Sequence, residues 1–230
     1  GTAEFVQHHT QDRMQKEQAL LDWLPKMGDL QCAWLLLALC ATPRANHVIR
    51  ALPPTQARAY ALEHDSRIWD TLQQLLCHTP SRGRARRAQG LSSLPGRLGG
   101  LGLRQAERTS PAAYWASWAD ALEVIRQRRP NEAAAFLADL ENAEGARAPC
   151  LREVQTAADL LDREGFAQAG TGARPSWREL FEGARPPAQE DRRESEPGEW
   201  IHGWQFYASS TRETFYREHH LMPSMSRASR

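Results

Sequence analysis

The chain has 230 residues, of which 41% are hydrophobic and 25% charged, with a net charge of +1 at pH 7 and a mean hydropathy of −0.63. That is an ordinary globular composition, and the chain is long enough to bury the core of one large domain or two small ones. Charge is unevenly placed: residues 1–130 carry 17 basic and 11 acidic side chains and residues 131–230 carry 12 and 17, which hints at a polyanion-facing front half and a more acidic rear half.

The chain opens on Gly1 and not on Met, so we expect a segment of a longer protein. Residues 2–24 read as a polar amphipathic helix whose apolar contacts are Phe5, Val6, Met14, Leu20, Leu21 and Leu24, ended by Pro25 and Gly28. Asp29 then reads as the cap of LQCAWLLLALCA. That helix is apolar on almost every side and is expected at the centre of the core, with Trp34 and Leu35 to Leu37 as its packing hub. Cys32 to Ala41 is the longest apolar run and falls short of a membrane span. Thr42-Pro43 is expected to stop the helix. PRANHVIRALPP follows as a short helical turn bracketed by Arg44, Arg50 and a proline pair. Over residues 55–77, Ala61, His64, Ile68, Leu72 and Leu75/Leu76 recur at helical spacing.

PSRGRARRAQG, residues 80–90, reads as a mobile polar loop carrying Arg82, Arg84, Arg86 and Arg87. With Arg97, Arg104 and Arg108, seven arginines stand against one acid, Glu107, between residues 80 and 110. A solvated loop and a phosphate-binding patch both fit this cluster. In GGLGL, the three glycines Gly99, Gly100 and Gly102 supply left-handed backbone and room for a close approach by another segment. Ser110 and Pro111 read as the N-cap and first residue of a helix to Arg129, with Trp115, Trp118, Leu122 and Ile125 on its apolar stripe.

An Ala-rich helix is predicted over 131–143 and another over 150–164, with Leu151, Val154, Ala158 and Leu161 inward and Gly165 as its stop. Ser176-Trp-Arg-Glu179 has the form of a capping box. Residues 184–199 are proline-bounded and charged, without an apolar pattern, and read as a linker. A last helix is expected from about Trp200 to His220, followed by a fraying tail. No strand pattern or fixed-period repeat occurs. The predicted fold class is all-α: an irregular helical bundle with arginine-rich and Gly-rich loops and a partly flexible C-terminal extension. Its expected parts are a helical domain (1–130), a helical extension (131–183), the linker (184–199) and a C-terminal helix and tail (200–230).

No catalytic signature survives inspection. Gln105 stands where a dinucleotide fingerprint needs Gly or Ala, and no Gly-rich loop ends in Lys-Ser/Thr. Adjacent pairs such as His8-His9 and His219-His220 diverge on a helix and do not converge on one metal. His64-Asp65, on a predicted helix, reads as a satisfied core or surface pair. The cysteines Cys32, Cys40, Cys77 and Cys150 form no CxxC, so neither a disulfide framework nor a zinc site is expected, in keeping with an intracellular protein. Nearly every cation is arginine, Lys16 and Lys26 being the only lysines. That choice suits phosphate contacts, although a coding bias toward Arg and Ala gives the same result.

Three segments together resemble a known family. PRANHVIRALPP contributes Asn46, Val48, Ile49, Arg50, Pro53 and Pro54; the next segment contributes Leu94-Pro95, then Gly99 to Arg104 and an aromatic helix; RPSWRELFEG and EPGEWIHGWQFYASS follow. In that order they resemble the region C-terminal to the polymerase palm in non-LTR, LINE-type retrotransposon reverse-transcriptase-like proteins, and Gly1-Thr2 resembles the end of a short turn found upstream there. The resemblance covers most of residues 1–130. It implies a thumb-like, post-palm helical module, RNA or DNA backbone as a partner alongside the parent's palm domain, and a nuclear or cytoplasmic setting without a membrane. The family's metal-binding aspartates have no counterpart here, so no catalytic residue and no cofactor is assigned to this chain, Mg²⁺ belonging to the missing polymerase core. The residues expected to touch phosphate are Arg44, Arg50, Arg82, Arg84, Arg86, Arg87, Arg97 and Arg104. A helical protein-interaction module or a decayed relic, with tryptophans such as Trp200 and Trp204 as anchors, is the alternative.

Overall fold

The computed structural model describes residues 3–78, 80–166, 172–186, 189–190, 199–200 and 203–223. Helix α1 (Ala3–Trp23) buries Val6, Met14 and Leu21, and a 3₁₀ turn at Leu24–Lys26 takes in Pro25. The Asp29 carboxylate accepts the Cys32 N–H at 2.9 Å and opens α2 (Leu30–Leu36), as its position before the apolar run predicts.

The helix does not stop at Pro43. Leu37–Ala41 widen into a π-turn, Thr42–Ala45 tighten into a 3₁₀ turn, and α3 (Asn46–Ala51) completes a helical run of 22 residues from Leu30. Proline has no N–H to donate, and its ring presses on the carbonyl four residues back. The wide turn before Pro43 removes that demand, and the Thr42 hydroxyl donates to the Leu37 carbonyl at 2.9 Å. Nor is the run buried all round: Ala33, Leu37 and Ala41 face the core, whereas Leu30, Leu35 and Leu39 are exposed.

Helix α4 (Pro54–Leu75) begins with proline, whose missing N–H costs nothing at that position. It buries Ala57, Tyr60, Ala61, His64, Ile68 and Leu72. One core gathers Leu21, Leu24, Leu37, Ala41, Ile68, Leu72 and Leu103. The arginine-rich stretch expected to be a loop is helix α5 (Arg82–Ser92). Arginine, alanine and glutamine are good helix formers, and the absence of an apolar repeat is what hides this helix in the sequence.

After α5 the chain makes a 3₁₀ turn at Gly96–Leu98 and enters the glycine cluster. Gly99 and Gly102 have φ of +84° and +78°. Gly100 lies so close to the preceding chain that a Cβ there would stand 2.0 Å from the Leu94 carbonyl oxygen. Helix α6 (Ala106–Arg128) starts before Ser110, so Ser110 is not its cap and Pro111 lies inside it. Its opening N–H groups are satisfied from a distance: the Asp65 carboxylate of α4 accepts from Ala106 and Glu107 at 2.7 and 3.0 Å.

The chain clusters into two compact units, Gly1–Ser110 with Glu213–Arg230 and Pro111–Arg212. The second unit contains the rest of α6, α7 (Pro130–Leu140), α8 (Pro149–Arg163), α9 (Trp177–Glu182) and most of α10 (Trp204–Tyr216). Its core includes Trp115, Leu122, Leu151, Val154, Leu161, Phe166 and Trp204, and the Trp115 ring meets Phe166 and Trp204 edge-on at 5.5 and 6.0 Å. Gly165 has φ of +84° just after α8, and Ser176 and Glu179 form the complete reciprocal capping box.

Asp139, near the end of α7, accepts from the Arg147 and Ala148 N–H groups at 2.8 and 3.1 Å and fixes the start of α8. The sole extended pairing among the described residues is the antiparallel two-residue ladder of β1 (Gln189–Glu190) and β2 (Glu199–Trp200), which joins the stretch expected to be a linker to Trp200, the expected start of the last helix. The last helix begins at Trp204 and continues through a π-turn at Arg217–Leu221, and the expected fraying tail at 224–230 lies outside the described residues. The fold is all-α.

Candidate nucleic-acid interface

The eight arginines singled out in the sequence fall into distinct environments. Arg84 and Arg86 project from α5 and are exposed, as are Arg97 on the 3₁₀ turn and Arg104 just before α6. Arg82 opens α5, and its side chain lies outside the described residues. Arg87 and Arg50 are half-buried and make contacts of their own. Arg44 is exposed on the 3₁₀ turn near Glu17, far along the chain from the α5–α6 group.

Among the described residues, none of Arg84, Arg86, Arg97 and Arg104 is ion-paired to an acid, in contrast to several arginines of the second unit. There Arg174 meets Asp162 at 2.9 Å, Arg178 meets Glu141 at 2.7 Å, Arg185 meets Glu123 at 2.6 Å, and Arg212 pairs with Glu164. Arg97 and Arg104 are moreover electrostatic neighbours. Burial and then the Arg104 guanidinium hold the Arg97 pKa below its ordinary value, with only Glu213 acting in the other direction. Arg104 also borders a small cleft walled by Asp65, Trp69, Gln89 and Ser92.

The seventh arginine of the 80–110 cluster has a different role, which the charge count could not reveal. Arg108 is 5% exposed and donates to Glu213 Oε2 at 2.8 Å, to the Ser93 hydroxyl at 3.1 Å and to Gln105 at 2.7 Å. Its guanidinium also lies 4.2 Å from the Tyr216 ring centroid. Glu213 is 1% exposed. The pair fastens the end of α10 to α5 and α6 within the first unit. A Cβ on Gly90 would stand 2.7 Å from the Tyr216 hydroxyl, so glycine at position 90 leaves room for the end of that side chain.

The other ionisable groups singled out above are occupied by the fold. His64 Nδ1 lies 2.8 Å from Glu17 Oε2 and Nε2 lies 3.2 Å from the Thr42 carbonyl, while Tyr60 donates to Glu17 Oε1 at 2.6 Å. Burial drives the Glu17 carboxyl upward, but hydrogen bonds from His64 and Tyr60 outweigh it and leave the pKa below the ordinary value. His64 is thus a satisfied core histidine. Asp65 is pushed up to about 6 by burial, against the pull of its two backbone N–H donors. His219 stacks on Phe215 at 4.2 Å and His220 on Tyr216 at 5.8 Å. Among the described residues no group of three or more His, Cys, Asp or Glu side chains is placed to hold a metal ion.

Of the two anchors weighed for protein partners, Trp204 is 5% exposed and belongs to the core, and the side chain of Trp200 lies outside the described residues. One helical stretch among the described residues, Leu30–Ala51, is long and apolar enough by composition to cross a membrane, with 39% of its apolar window buried inside the protein. The chain matches no protein-family model, no curated protein and no solved structure.

Proposed function

We propose that this chain is a non-catalytic helical module of a LINE-type reverse-transcriptase-like protein that grips the template–primer backbone through Arg84, Arg86, Arg97 and Arg104. The observation that supports the reading is that Arg84 and Arg86 on α5, Arg97 on the turn after it and Arg104 just before α6 are exposed with no carboxylate partner among the described residues, Arg97 and Arg104 in mutual repulsion. Two cations held close without an acid are unfavourable alone and favourable around a phosphate, where each guanidinium donates in a planar fork. Such contacts carry affinity without reading sequence.

Binding of a labelled RNA–DNA duplex, followed by fluorescence anisotropy over a salt series, tests the proposal. Four phosphate contacts give a slope of log affinity against log salt of about −3 to −4, and each Arg→Ala change lowers its magnitude by about 1. Absence of binding at low salt, or an unchanged slope in the Arg84/Arg86/Arg97/Arg104→Ala variant, removes the function.

A further inference from the structure

We propose that the solvent-facing stripe of the Leu30–Ala51 helical run is a docking surface for a second copy of this chain, the two runs packing antiparallel about a two-fold axis near Leu36. Leu35 and Leu39 are 38% and 70% exposed, and Cys32, Cys40 and Pro43 are exposed beside them. The π-turn at Leu37–Ala41 matters here. With more residues per turn than an α-helix it slows the rotation of the side chains, so Leu39, Cys40 and Pro43 stay on the side that Cys32 and Leu35 already occupy. A regular helix would carry Cys40 about 80° round from Cys32. The result is an apolar stripe about 16 Å long at 1.5 Å per residue.

The stripe's own ends select the occupant. No charged residue occurs between Asp29 and Arg44, so the stripe is uncharged, with an anion at one end and a cation at the other. Both end groups are exposed. An antiparallel copy sets Asp29 of each chain against Arg44 of the other, whereas a parallel copy sets like against like. The thiols share the same symmetry: Cys32 and Cys40 are equally spaced on either side of Leu36, so each faces its counterpart on the second copy. A surface that is complementary to itself under a two-fold rotation is what an isologous dimer requires. An unrelated protein has no need of that palindromic spacing, and a lipid surface has none for the opposed end charges.

Sedimentation velocity of the full chain across a wide concentration series, without nucleic acid, reads the association directly. A reversible dimer is expected, and Leu39→Glu raises its Kd by about tenfold or more while leaving the helical circular-dichroism signal in place. Asp29→Arg and Arg44→Asp each weaken it, and the two together restore it to within about threefold. A short bis-maleimide joins Cys32 of one copy to Cys40 of the other in the wild type. The charge exchange and the cross-link decide the matter even if Leu39→Glu unfolds. A chain that is monomeric at every concentration, cross-links that run only through Cys77 or Cys150, or a monomer that floats with neutral phosphatidylcholine vesicles overturns the proposal, the last in favour of a lipid surface. Arg44 lies outside the four arginines on which the nucleic-acid reading rests, so the two proposals fail separately.

Discussion

Gly100 is the position where a single methyl group does most damage. A Cβ there would overlap backbone, not a side chain that can swing away, with Leu94 O at 2.0 Å and Leu91 O at 2.6 Å. Gly99 and Gly102, by contrast, face open space and need glycine only for their positive φ. Gly99→Ala and Gly102→Ala are therefore expected to cost about 1 kcal/mol each in urea denaturation, and Gly100→Ala about 3 kcal/mol or more. Equal losses at the three positions would refute this division of roles. Arg108→Ala leaves the buried Glu213 carboxylate without its guanidinium and is expected to cost about 3–5 kcal/mol, against at most about 0.5 kcal/mol for Arg84→Ala on the surface. The glycines and the Asp29 and Ser176 caps were legible in the sequence because each acts on backbone only a few residues away. Arg108 was not, because the acid that removes it from the surface lies 105 residues downstream.

At the scale of elements, the informative departures are α5, Pro43 and the start of α6. α5 follows from local propensity without an apolar repeat and Pro43 is accommodated by the π-turn just before it, whereas at α6 a local signal was overruled by something outside its window. Ser110-Pro111 has the grammar of a helix start, yet Asp65, 41 residues earlier, supplies acceptors to Ala106 and Glu107 and the helix opens there. Burial raises the Asp65 pKa from 3.8 to about 6, so the folded state binds this proton more tightly than the unfolded chain. The associated stability is fully present below about pH 4 and is lost as pH rises through about 6, a change of about 3 kcal/mol at most. Asp65→Asn keeps one acceptor oxygen and cannot titrate, so its stability difference from wild type is expected to shift between pH 4 and 7 in that direction. A difference that stays flat over this range would show that Asp65 does not titrate as the buried site requires. For Glu17 the sign is opposite: its depressed pKa makes its contribution disappear as pH falls below the ordinary glutamate range.

For the whole molecule, the all-α class followed from the absence of any period-two pattern together with repeated helical spacing, and it holds. What the sequence could not reveal was which apolar residues find a cover: Leu35 and Leu39 read as core and stand exposed, while the carboxylates Glu17 and Glu213 are buried. Composition records what a helix offers on each side, but another segment decides which side is taken. The same holds for charge, since the formal excess of the front half is exposed as cationic surface only after Arg108 is subtracted. The remaining cluster predicts a salt response in the protein alone. Repulsion between Arg97 and Arg104 is screened as salt rises, so Arg97→Ala is expected to raise Tm at low ionic strength and to lose that advantage at high ionic strength. A constant Tm difference across the series would deny that the two guanidiniums interact.

The buried carboxylate of Glu213 also imposes an order of events during synthesis. The first unit is discontinuous, since residues up to Ser110 wait for Glu213 and the turn around Tyr216, whereas Pro111–Arg212 emerges as one uninterrupted stretch. On a ribosome the downstream unit can thus close while the upstream one still lacks its final anchor, reversing the usual N-to-C sequence of folding.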